Sequence, residues 1–293
     1  MAYADPDALV STEWLEAHLD RSEIRIVDGS FKMPGITPTA EDDYRNQHIP
    51  GAVFFDINAV ADAANSLPHM LPSPENFAAA MSRLGIGDGQ RVVVYDSAGL
   101  MSAARIWWML RVFGHTNAAI LDGGLPKWLA EGRPVDDKIP HAIPRQFAAR
   151  FNGGLVRGKA QLRSNLSSRQ EQVLDARAAP RFEGSVAESW PGRRSGRIPG
   201  SFNLPYDQIT DPKTKTLLPP KTLRQLFERS GIDLDRPVVA SCGSGVTACA
   251  LAFALHLLGH PAVSVYDGSW AEWGLPGDTP IETGPRVPGA GAR

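Results

Sequence analysis

The sequence predicts an α/β fold made twice, each unit a mostly parallel sheet flanked by helices. Three observations predict it. A long segment repeats: Arg91 to Trp128, reading RVVVYDSAGLMSAARIWWMLRVFGHT and then AAILDGGLPKW, lies over Pro237 to Trp273, reading PVVASCGSGVTACALAFALHLLGHP and then AVSVYDGSWAEW. Shorter strings repeat upstream in the same order, IVDGS at Ile26 with VLDAR at Val173, and HIPGAVFFDI at His48 with RIPGSFNLPY at Arg197. Within each copy, short β-branched runs alternate with stretches of helical length, the pattern of successive βα units.

Val92 to Tyr95 and Val238 to Ser241 are largely apolar and do not alternate, as expected of strands covered on both faces. Ser102 to Phe113 and Thr247 to Leu258 read as the helices that follow them. Each helix ends at a Gly-His pair, Gly114-His115 and Gly259-His260, where glycine suits the left-handed conformation of a C-cap. The units are expected over 8–138 and 161–285. Pro140 to Asn152 is rich in Pro, Ala and Arg without any period, so 139–160 reads as a linker. The Gly, Pro and Ala of 286–293 read as a flexible tail.

Hydrophobic residues at 43% and charged residues at 21% describe an ordinary folded chain, neither disordered nor membrane-embedded. Thirty Lys and Arg against 32 Asp and Glu leave a net charge of -2, which gives no surplus for holding a polyanion, so nucleic acid is not an expected partner. The acidic start, MAYADPD, has neither the basic nor the apolar part of a secretory signal, and the expected location is cytoplasmic. Val246 to Leu258 is the longest apolar stretch. It is shorter than the roughly 20 residues of a membrane span and contains His256, so it reads as a buried helix and no membrane contact is expected. No metal-ligand cluster, phosphate loop or dinucleotide fingerprint occurs, and no metal or cofactor is expected.

Cys242 stands between a predicted strand and a predicted helix, in Cys-Gly-Ser-Gly-Val-Thr ending at Thr247. The carboxyl ends of parallel strands are where α/β proteins place ligands. Gly243 and Gly245 let the backbone curl, so that the amides of the loop through Val246 and Thr247 converge on one atom, the sulfur of Cys242. Such a ring, at the positive end of a helix, stabilises a thiolate and equally a terminal persulfide sulfur. The implied chemistry is nucleophilic: a sulfur atom is taken from a donor and passed to an acceptor. Cys249, inside an alanine-rich helix, reads as a small core residue. Seven residues along a helix is roughly 10 Å, too far for a disulfide with Cys242. In the first copy the matching position is Asp96, which cannot carry a persulfide. That unit is expected to be catalytically silent, with Asp96 structural.

HIPGA at His48, FFDI at Phe54, PHMLP at Pro68, DGGLPKW at Asp122, RIPGS at Arg197, CGSGVT at Cys242 and YDGSWAEWG at Tyr266 together resemble the tandem-domain rhodanese family over about residues 8 to 284. Within it, the loop is similar to that of the 3-mercaptopyruvate sulfurtransferases, because Gly243 and Ser244 are uncharged where thiosulfate-specific members carry basic residues. The resemblance implies two rhodanese-like domains and a small-molecule sulfur donor. It also implies an acceptor such as a low-molecular-weight thiol, thioredoxin or cyanide. Arg181 resembles a substrate-binding arginine of the family, suited to a bidentate carboxylate clamp. The family's second arginine, nine residues on, is Trp190 here, and Arg193, Arg194 and Arg197 are the candidates for its replacement. Ser244 and His69 resemble a serine-histidine pair that relays a proton, with Asn58 where some members have an acid.

Three rivals are weighed. A cysteine phosphatase would carry an arginine six residues after the cysteine, where this chain has Ala248. A thiosulfate sulfurtransferase shares the fold and overlaps in activity. A non-catalytic rhodanese-like binding module would not need the cysteine loop that this chain retains.

Overall fold

The computed structural model describes residues 2–285 and contains two five-stranded parallel sheets. The first is formed by β1 (Leu9–Val10), β2 (Ile24–Asp28), β3 (Val53–Phe54), β4 (Arg91–Tyr95) and β5 (Ala118–Leu121), in the order β1-β5-β4-β2-β3. The second is formed by β6 (Val156–Arg157), β7 (Gln172–Asp175), β8 (Phe202–Asn203), β9 (Val238–Ser241) and β10 (Val263–Tyr266), in the order β6-β10-β9-β7-β8. The two orders are the same walk through the sheet, so the duplication seen in the sequence is a duplication of topology. The central strands β4 and β9 are buried on both faces, which is why their sequences show no alternation.

The helices after β4 and β9, Ala103–Val112 and Ala248–Leu257, are buried almost all round. Each touches its own sheet on one side and the other helix on the opposite side, with Trp107 of the first edge-on to Phe253 of the second at 4.8 Å. Residues from both units therefore form one continuous apolar cluster, from Val27 and Val94 through Ile106 to Ala240 and Leu251. Gly114 and Gly259 close the two helices at φ of 87° and 78°, the left-handed caps expected from the sequence.

The stretch 139–160 differs from its reading as a linker in two ways. It has no regular structure up to Asn152, yet it is docked: Arg150 N–H and Asn152 N–H donate to the carbonyls of Phe113 and Val112, and Phe147 is buried against Phe77. Its last part contains β6, which pairs with β10. A two-residue strand is too short to leave any periodic trace in a sequence. The tail expected over 286–293 lies outside the described residues. Among the described residues, no helix is long and apolar enough to cross a membrane.

Candidate active site

The loop after β4 shows what the repeated strand-loop-helix is built to hold. Asp96 is fully buried, and its carboxylate accepts five backbone hydrogen bonds of 2.7–2.8 Å, from Ala98 and Gly99 to Oδ1 and from Met101, Ser102 and Ala103 to Oδ2. A carboxylate so surrounded has its charge matched by main-chain dipoles alone. The loop after β9 is one residue shorter, 242–247 against 96–102, and starts at Cys242 instead. It is anchored from the helix Ser269–Trp273, where Trp270 N–H and Ala271 N–H donate to the carbonyls of Cys242 and Gly243, and Ser269 Oγ accepts from Cys242 N–H. Gly245 sits at φ 77° and packs so tightly that a Cβ there would lie 2.6 Å from the Asp267 carbonyl oxygen. Only glycine fits.

Cys242 lies at the floor of a cleft of about 270 Å³ between the two units. Gly243, Ser244, Val246 and Thr247 line it from the second unit, and Phe31, Met33 and Met101 from the first. Across it, His69 Nδ1 lies 2.9 Å from Ser244 Oγ, and His69 Nε2 lies 3.1 Å from Asn58 Oδ1. An amide oxygen facing Nε2 fixes the proton there, which leaves Nδ1 to accept from the Ser244 hydroxyl. His69 is a buried residue at φ 60°, with Phe31 and Trp190 edge-on to its ring. Burial first, and then the nearby Arg105 guanidinium, push its pKa down to about 4 against the opposing effect of the Ser244 backbone, so the imidazole is neutral at pH 7.

Arg181 also reaches the cleft, within 3.1 Å of where a Cβ on Gly243 would stand. Its Nη2 and Nε pair with Glu188 at 2.5 and 3.2 Å. Glu188, 1% exposed, also binds Arg177, which is itself held by Asp175 and stacked on Trp270 at 4.3 Å.

Two segments, residues 11–131 and 159–275, each match the model of the rhodanese-like domain. The chain belongs to the rhodanese family. It is 43% identical to thiosulfate/3-mercaptopyruvate sulfurtransferase 1, mitochondrial, of Arabidopsis thaliana, over 94% of this chain and 78% of that protein. It is 40% identical to the 3-mercaptopyruvate sulfurtransferase of Homo sapiens, over 91% of each. The crystal structure of SseA from Escherichia coli, described among 3-mercaptopyruvate sulfotransferases, superposes with a TM-score of 0.82 at 39% identity, covering 90% of this chain and 99% of that one.

In this rhodanese the fold brings Cys242, Gly243, Ser244, Val246, Thr247, His69 and Arg181 to one cleft, with Gly245 directly behind it. Arg197, expected among the substrate-binding residues, does not line the cleft. It is buried, its guanidinium over Phe182 at 4.9 Å and hydrogen-bonded to the Gly284 carbonyl. Arg193 and Arg194 are likewise committed to backbone carbonyls, of Ala271 and Pro191 and of Trp273 and Thr279 respectively. Arg181 is the one charged side chain lining the cleft among the described residues. Cys249 keeps to its sequence reading: it is buried, its thiol donates to the Gly245 carbonyl at 3.2 Å, and burial pushes its pKa well up.

Sequence reasoning missed Arg105. Its side chain is 1% exposed, enters from the first unit, and pairs with Asp267 of the second at 2.8 Å. It also donates to the carbonyls of Gly245, at 3.2 Å, and His69, at 2.5 Å. One guanidinium thus ties the cysteine loop to the histidine. The only trace in the sequence is an arginine inside an otherwise apolar helical run, WWML following ARI.

The His69 pKa has a consequence for stability. In the unfolded chain the imidazole binds a proton near 6.5, whereas in the folded chain it does so only near 4. Between those values the unfolded state holds more protons, so stability falls as pH drops through that window. Urea unfolding at pH 5 and pH 7 should show a larger loss on acidification for the wild type than for His69→Gln. An equal loss in both would place the imidazole elsewhere than in this buried, neutral state.

Proposed function

We propose that this rhodanese is a sulfurtransferase that takes a sulfur atom from 3-mercaptopyruvate onto Cys242 as a persulfide and delivers it to a thiol or to cyanide, releasing pyruvate. The observation that carries the reading is the Asp96 loop, an anion held by five main-chain amides in the copy whose counterpart begins with a cysteine. A cradle that satisfies a carboxylate offers the same dipoles to a thiolate and to a persulfide sulfur.

The first half-reaction balances without a cofactor. The Cys242 thiolate attacks the donor sulfur, the carbon-sulfur bond breaks, and its electron pair becomes the enolate of pyruvate. The donor's thiol proton must then reach the enolate carbon. The hydroxyl of Ser244 and the neutral Nδ1 of His69 provide a path for it, with Asn58 holding the ring in the required tautomer. Arg181 is the residue for the donor carboxylate, using the guanidinium edge that Glu188 leaves free. The mature acceptor class includes a low-molecular-weight thiol or a protein thiol such as thioredoxin. The first unit supplies His69, Asn58 and one wall but no nucleophile. In this reading the catalytic domain is 161–285 together with β6, and 8–138 is the silent one.

Thiosulfate is the second donor to consider, since the names of several relatives include it. A dianion needs surplus positive charge at the clamp, and the guanidinium of Arg181 is already paired with Glu188. With a common acceptor, kcat/KM for 3-mercaptopyruvate is expected to exceed that for thiosulfate by about tenfold or more, equivalent to about 1.4 kcal/mol. A higher kcat/KM for thiosulfate would remove the donor assignment.

A further inference from the structure

The second half-reaction poses a question of shape and charge that the donor does not answer. Once pyruvate has left, the outer sulfur of the persulfide faces the whole cleft, about 270 Å³, and an acceptor reaches it through that space. The walls above the cysteine loop are Phe31, Met33, Met101, Trp190, Tyr206 and Val246. Trp190 stands edge-on to His69 at 5.6 Å, and its Nε1 comes within 3.9 Å of where a Cβ on Gly243 would be. It therefore overhangs the sulfur-bearing loop itself. Two thioether side chains and three aromatic rings form a surface that rewards an apolar or aromatic body.

The charge balance points the same way. Arg177 and Arg181 carry two positive charges, and Asp175 and Glu188 two negative ones, all joined in one buried or half-buried network. The network is neutral as a whole, so the cleft has little field to attract an acceptor bearing several carboxylates.

We propose that the acceptor of this enzyme is an organic thiol of low charge carried on an apolar, preferably aromatic, body that packs against Trp190. The proposal rests on the persulfide reading above. The acceptor thiolate attacks the outer sulfur of the Cys242 persulfide, and the bond between the two sulfurs breaks. Its electron pair returns to Cys242 as thiolate, and the product leaves as the acceptor's persulfide, so no external oxidant or reductant enters.

The test compares phenylmethanethiol with 2-mercaptoethanol as acceptors at saturating 3-mercaptopyruvate, each corrected for its thiolate fraction, in the wild type and in Trp190→Ala. Burial of the ring predicts a kcat/KM about tenfold higher for phenylmethanethiol in the wild type. In Trp190→Ala the ratio of the two should fall to about one. The mass of wild-type protein after donor alone is read in parallel. Added sulfur together with equal kcat/KM for the two thiols, or with a ratio that Trp190→Ala leaves unchanged, would overturn the acceptor class and spare the sulfurtransferase reading. No added sulfur would overturn both.

Discussion

Cys242→Ser is expected to abolish sulfur transfer while leaving the protein folded. Serine fits the space of cysteine, and the loop is held by backbone bonds that do not involve the side chain: Trp270 and Ala271 donate to its carbonyls, and Ser269 accepts from the Cys242 amide. Stability should therefore change by no more than about 1 kcal/mol. A hydroxyl, by contrast, offers no thiolate to carry the added atom, and the loss in kcat should be at least about 10³-fold. Intact-mass measurement after incubation with 3-mercaptopyruvate is the direct reading. The wild type and Cys249→Ala should gain one sulfur, because the Cys249 thiol is engaged with the Gly245 carbonyl and buried. Cys242→Ser should gain none. Retention of the added sulfur in that variant would move the carrier to another site.

The second large effect concerns Arg105. Arg105→Met removes one partner of a buried pair and leaves the Asp267 carboxylate without its counter-charge, which costs about 3–5 kcal/mol. It also strips a donor from the carbonyls of Gly245, in the cysteine loop, and of His69, in the first unit. Replacing both partners, as in Arg105→Met with Asp267→Leu, should cost less than the single change, because no unpaired charge is then buried. Urea unfolding of the three variants checks this. A loss below about 1 kcal/mol in Arg105→Met would mean that the pair is not holding the units together. Removing the guanidinium also removes one of the two causes that depress the His69 pKa, so where Arg105→Met folds, the acid limb of its pH-rate profile should move to higher pH.

The pair gives the first unit a structural part in the cleft although its loop holds a carboxylate. Asp96 cannot carry sulfur, yet its five hydrogen bonds fix the start of the helix Ala103–Val112, and that helix presents Arg105 to the other unit. A second crossing contact, Asp267 Oδ2 accepting from Leu71 N–H at 2.8 Å, positions the loop that carries His69. Its counterpart in the duplicate is Asp122, whose Oδ1 accepts from Leu217 N–H at 2.7 Å. Each unit thus braces a loop of the other by the same device. Only the loop beside Asp267 begins with a cysteine.

By itself the sequence determined the duplicated α/β architecture, the central strands, the helices with their glycine caps and the cysteine loop. The duplication is written in the long repeat, and the rest depends on periodicity, on left-handed glycines and on short-range order, which are written within a dozen residues. Its likeness to a family pointed to His69, Ser244 and Arg181. The tertiary structure alone decided that Arg197 turns away from the cleft to Phe182 and Gly284, that Glu188 occupies part of the arginine clamp, and that Arg105 joins the two units. Arg105 meets Asp267, and Arg197 meets Gly284, across long separations in sequence, whereas Glu188 is near Arg181 in the chain but is turned to it by the surrounding fold. Which acid a buried arginine finds is set by how two finished sheets pack, a fact that no local pattern encodes.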